Sequence, residues 1–132
     1  MNIATIVARA FVGLIFVVFG LNGFLQFIPL PELPEQAGAF MGLLFGSGIG
    51  AVVKLLEIIG GGLLLASIGT KRFAPLGIVI LAPIVVVIFL FHLLMAPDGG
   101  AGVVMPGLLL AATGYLVYAY KENFAGIFAD HA

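Results

Sequence analysis

Long uncharged apolar stretches alternate with short polar breaks along almost the whole chain. Residues 10–31, 58–70, 73–97 and 99–120 contain no charged side chain. Uncharged runs of about 18 or more residues read as membrane spans, because about 20 helical residues cross a hydrocarbon core of about 30 Å. The pattern therefore predicts an all-α integral membrane protein, a single domain over 1–132 with four transmembrane helices at about 3–27, 49–69, 73–95 and 101–120. The first block is too long for a signal-peptide core, and the small residues at 37–39 follow a proline-rich break rather than the apolar run, so it is expected to be retained.

The breaks have distinct chemistry. Pro29, Pro31 and Pro34 end the first span, since each lacks a backbone donor and pushes its predecessor out of helical geometry. Residues 37–48 are apolar but short and glycine-rich, which suits an interfacial or re-entrant segment. Thr70, Lys71 and Arg72 form the next break, and Pro97-Asp98-Gly99-Gly100 is a strong turn signal. Pro83 inside the third span is expected to kink it, whereas Pro106 falls in the first turns of the fourth, where a missing donor costs least. The tail from Lys121 is either a short surface helix with Phe124, Ile127 and Phe128 on one face or disordered.

Charge sets the orientation. With four spans both ends share a side with the break at Lys71 and Arg72, so Arg9, Lys71, Arg72 and Lys121 gather on one face. Glu32, Glu35 and Asp98 gather on the other. Basic residues favour the cytoplasm, so both termini are expected there, in the inner membrane of a cell. Arg9 reads as a cytoplasmic anchor, and Tyr115, Tyr118 and Tyr120 as an interfacial aromatic belt. Only 8% of residues are charged against roughly a quarter in soluble domains, and the net charge of −1 gives no reason to expect nucleic acid as a partner. The chain has no cysteine, which excludes thiol redox chemistry, thiolate metal sites and disulfides.

Five polar residues lie inside or beside the spans: Asn22, Gln26, Lys54, Glu57 and His92. Helical rise puts Asn22 about 28 Å above Ile3, Lys54 and Glu57 about 8 and 12 Å inside the outer start of the second span, and His92 about 7 Å inside the outer end of the third. All five thus fall in the outer third of the membrane. Lys54 and Glu57 are three apart and can pair on one helix face. Three readings stand side by side: a pocket for a headgroup or quinone ring, interhelical packing by buried polar groups, or Lys54 snorkelling to the headgroups. His92 has no second histidine on its side of the membrane for a haem, and no carboxylate or histidine cluster suggests a metal. The glycines at 13, 20 and 23 and at 60, 61 and 62 allow close helix approach.

The run Ala8 to Phe24, with Lys54 to Gly61 and Leu81 to His92, resembles the first three spans of the DoxX family of small bacterial membrane proteins. The resemblance implies a four-helix membrane bundle and a link to quinone-dependent oxidoreductase assemblies, with Asn22, Lys54, Glu57 and His92 as the polar positions of the matching segments. It brings no catalytic assignment. The reading that follows is an accessory subunit of a redox-linked assembly that binds a quinone or lipid, with no cofactor held within the chain and no autonomous catalytic constellation. Its partners would be the bilayer and other membrane subunits or further copies of itself. The alternatives are a purely structural assembly protein and a small transporter or lipid-binding protein; with four spans and no internal repeat, an autonomous carrier would need to dimerise.

Overall fold

The computed structural model describes residues 1–30, 32–96 and 101–129, the side chain of Ala101 excepted. Described residues form α1 (Ile3–Leu25), α2 (Glu35–Gly46), α3 (Ile49–Leu65), α4 (Ala74–Leu94), α5 (Ala101–Ala119), α6 (Lys121–Ala125) and a 3-10 turn (Gly126–Phe128), with no strand among them. The predicted turn at 97–100, including Asp98, lies outside the described residues, as does His131. Three helices, α1, α4 and α5, are long and apolar enough to cross a membrane. A fourth crossing arises if α2 and α3 count as one bent span.

The boundaries follow local chemistry. Asn2 caps α1 by accepting from the Thr5 N–H at 2.9 Å, satisfying one of the orphan donors at a helix start. At the other end Gln26 adopts a left-handed conformation, φ 52°, and its N–H returns to the Asn22 carbonyl. That closes α1 two residues earlier than expected. The second span is also shorter than the sequence suggests: α3 stops at Leu65, because Ala66 is extended and Ser67 and Gly69 have positive φ. α4 runs unbroken through Pro83, with Pro75 near its start, where a missing N–H is harmless. Pro106 is buried in the second turn of α5.

α2 leaves α3 at 85° through Ser47 and Gly48, whose φ of 87° suits a residue without a side chain. The helix expected over 37–48 as a short segment thus forms, as Glu35–Gly46, and bends sharply away from α3. Its Phe45 ring sits on Gly50, and Phe40 meets Phe91 of α4 with ring centroids 5.7 Å apart.

Packing runs from α1 to α3, α3 to α4, α4 to α5, and from α5 back to α1. Val12, Phe16, Leu64, Ile78, Leu81, Val85 and Leu116 fill the centre. Lipid tails are as apolar as leucine, so helices in a bilayer associate through close contact rather than by escaping water. α3 achieves this on two sides with adjacent glycines. A Cβ on Gly61 would lie 2.8 Å from the Gly13 carbonyl of α1, and one on Gly77 of α4 would lie 2.8 Å from the Gly60 carbonyl. Consecutive helical residues point about 100° apart, so Gly60 serves α4 while Gly61 serves α1. Gly62 faces open space and takes no part in the packing expected of it.

These contacts separate three neighbouring glycines by consequence. Gly61→Val should destabilise the protein by about 1–3 kcal/mol through overpacking against backbone. Gly62→Ala should leave it unchanged or stabilise it by about 0.5–1 kcal/mol through helix propensity. Thermal unfolding in mild detergent reads both, and equal effects would contradict the packing described.

Candidate functional site

The five intramembrane polar residues have different fates. Lys54 Nζ lies 3.0 Å from Glu57 Oε2, the only ion pair among the described residues. The Glu57 side chain is 3% exposed and that of Lys54 20%. The lysine stem lies on α1 at Gly23, where a Cβ would come within 2.6 Å of Lys54 Cγ. Gly23 thus makes room for the lysine to run along α1. Glu57 Oε2 has ion-pair contact but no hydrogen bond among the described residues. The ammonium 3.0 Å away compensates that oxygen, as a buried carboxylate requires.

Asn22 lies beside Gly23, yet its amide is spent locally. Its Nδ2 donates to the Ile28 carbonyl at 3.2 Å, and its Oδ1 accepts from the Ile28 N–H at 2.7 Å. This two-way clasp folds the chain back after α1. Gln26 is exposed and serves as the left-handed cap, pointing to no shared pocket. His92 Nδ1 lies 2.8 Å from the Ile88 carbonyl of its own helix. A carbonyl only accepts, so Nδ1 carries a proton there. His92 makes no hydrogen bond to Lys54 or Glu57 among the described residues. The structure therefore brings Lys54 and Glu57 together against α1, beside Asn22, and leaves Gln26 and His92 apart.

An apolar cavity of about 190 Å³ opens at the same end of the molecule, lined by Phe40 of α2 and by Val87, Leu90, Phe91, Leu94 and Met95 at the end of α4. Among the described residues no three histidine or acidic side chains come close enough to hold a metal ion.

The opposite end holds a polar constellation that sequence reasoning missed. Arg9 is not an anchor reaching for headgroups; it is fully buried. Its Nε donates to the Leu64 carbonyl at 2.9 Å, Nη2 to the Ala66 carbonyl at 3.0 Å, and Nη1 to the Thr70 carbonyl and to the Tyr120 hydroxyl at 3.3 Å. Leu64 and Ala66 carry carbonyls that the end of α3 leaves without intrahelical partners. The guanidinium thus caps α3 from another helix, at the pole where the helix dipole favours a cation. Tyr120 is correspondingly 2% exposed, turned inward rather than out to an interfacial belt. The one available signal was an arginine nearly two turns inside a span, and it is too common to be decisive.

Beside this staple lies a second cavity, of about 240 Å³, lined by Met1, Asn2, Thr5, Lys71, Tyr115, Tyr118, Ala119 and Tyr120. The Tyr115 hydroxyl lies 3.1 Å from Thr5 Oγ1 and donates to Asn2 Oδ1 at 3.3 Å. The start of α1, the α3–α4 turn and the end of α5 therefore share one end of the molecule.

Arg9→Met should lower stability by about 3 kcal/mol, because the carbonyls of Leu64, Ala66 and Thr70, the first of them buried, lose their donor at once. Arg9→Lys should restore less than half, since an ammonium cannot span the same fork. Arg72→Met, at an exposed position, is the comparison: equal unfolding midpoints for Arg9→Met and Arg72→Met would refute the staple. Comparisons with protein-family models, with curated proteins and with solved structures found no match.

Proposed function

We propose that the chain is a four-span accessory subunit of a redox-linked assembly in the inner membrane, holding a quinone or lipid at the level of Lys54 and Glu57. The observation that carries this reading is the ion pair: a carboxylate 3% exposed within an apolar helix, with one oxygen lacking a hydrogen bond, next to a lysine head that is one-fifth exposed. Intramembrane charges are costly, and their usual explanation is a ligand or a proton path.

In this proposal the Lys54 ammonium donates to a quinone carbonyl or a headgroup oxygen. Glu57 holds the ammonium against α1 and accepts from a ligand hydroxyl. His92, held to the Ile88 carbonyl of its own helix, takes no part in this reading. The hydrocarbon chain of the ligand would occupy the apolar cavity of Phe40 and Phe91 at the same end. No electron carrier is part of this reading, so a partner subunit or the quinone itself would supply the redox chemistry. Both termini would be cytoplasmic, since Arg9, Lys71, Arg72 and Lys121 lie at the end opposite Glu32 and Glu35.

Quinone extracted from protein purified in mild detergent tests the reading. Lys54→Met and Glu57→Gln should each reduce bound quinone about tenfold, as expected on removing a charge-assisted hydrogen bond. Absence of quinone and of any tightly retained lipid from the wild-type protein would rule the site out. Topology is checked separately: the chain has no cysteine, so single cysteines at positions 32 and 71 report sidedness, and labelling of both from the same face would reject the four-span arrangement.

A further inference from the structure

The cavity beside Arg9 has a donor inventory with nothing to receive it. Asn2 Oδ1 accepts from the Thr5 N–H and the Thr5 hydroxyl, each at 2.9 Å, and from Tyr115. A backbone N–H can only donate, so this capping bond fixes which amide atom is oxygen. The Asn2 NH₂ group therefore points away from the cap, and its two donors have no partner among the described residues. The Lys71 ammonium and the Tyr118 hydroxyl, which line the same cavity, likewise have no hydrogen-bond partner among the described residues. Among the described residues, no carboxylate lines it.

A second observation points the same way. Arg9 is buried and has no carboxylate within ion-pair distance among the described residues; carbonyl dipoles and a hydroxyl alone meet its charge. Its Nη1 touches Tyr120 and the Met1 sulfur, both of which line the cavity. A full positive charge, met by carbonyl dipoles and a hydroxyl among the described residues, thus stands directly behind the wall. Lys121 adds a further positive charge over the Tyr118 ring, 4.4 Å from its centroid. A low-dielectric wall strengthens the attraction of such charges for an anion.

We propose that this cavity binds the phosphate of an anionic lipid headgroup from the leaflet at that end of the molecule. The Asn2 amide, the Lys71 ammonium and the Tyr118 hydroxyl would donate to the phosphate oxygens, and Arg9 would supply the field behind them. The surrounding tyrosine rings suit a depth where one side of a group is apolar and the other wet. The site is independent of the Lys54–Glu57 reading and lies at the other end of the helices.

Native mass spectrometry of the full chain, with phosphatidylglycerol and phosphatidylcholine of identical acyl chains, tests it. The wild type should retain phosphatidylglycerol in preference. Lys71→Gln should weaken that retention about tenfold, the effect of losing one charge-assisted hydrogen bond to a phosphate oxygen. Asn2→Asp keeps the capping oxygen but removes both amide donors and adds a negative charge, so it should weaken retention further while leaving the unfolding temperature unchanged. Arg72→Gln, outside the cavity, should change little. Equal retention of the two lipids overturns the proposal, as does an Arg72→Gln loss as large as that of Lys71→Gln. Displacement of phosphatidylglycerol by millimolar inorganic phosphate would also overturn it, in favour of a soluble anion. If Asn2→Asp fails to fold, Lys71→Gln on the exposed turn decides alone.

Discussion

The end of α3 is the point on which the molecule depends. A helix terminus leaves carbonyls without partners, and in a hydrocarbon environment water is not there to satisfy them. Here a single guanidinium from α1 supplies the donors, reaching Leu64, Ala66 and Thr70 at once. The same group holds Tyr120 at the end of α5. Three elements far apart in sequence are thereby fixed at one end, and the turn between α3 and α4 is ordered by the arginine it receives. Close glycine contacts then set the spacing of α1, α3 and α4 along their lengths. Arg9 fixes the register at which those glycines meet.

Hydropathy made the helices legible because the constraint behind it is simple: an apolar run of this length has few other places to be. The ends were less legible. Gln26 takes a left-handed cap that glycine or asparagine usually fills, so nothing in its identity marked the stop of α1. Ala66 to Gly69 carry neither charge nor proline, and it is their dihedral angles that show α3 has ended. Within the glycine triplet, which residue meets which neighbour depends on helix rotation, which a run of identical residues does not encode.

Polar residues were read well where the partner was local and poorly where it was distant. Lys54 and Glu57 pair across one turn, as their spacing allowed. Arg9 and Tyr120 are 111 positions apart, and an arginine near a span end can either turn out to headgroups or turn in to a neighbouring helix terminus. The terminus it meets is itself defined by a turn that composition did not reveal. Depth estimates placed Asn22, Gln26 and His92 alongside the ion pair, but depth fixes only one coordinate. Azimuth and local hydrogen bonds gave Asn22 to the Ile28 backbone and His92 to its own helix.

The brevity of α3 has a consequence for the membrane itself. Its 17 residues span about 26 Å, whereas the 23 of α1 span about 35 Å. Val52, Leu55 and Ile59 are exposed on its outer surface. Lipid along that strip must shorten by a few ångströms relative to lipid along α1, or the helix must stand more upright than its neighbours. A bilayer matched in thickness to α1 would meet a shorter apolar wall along the α3 flank.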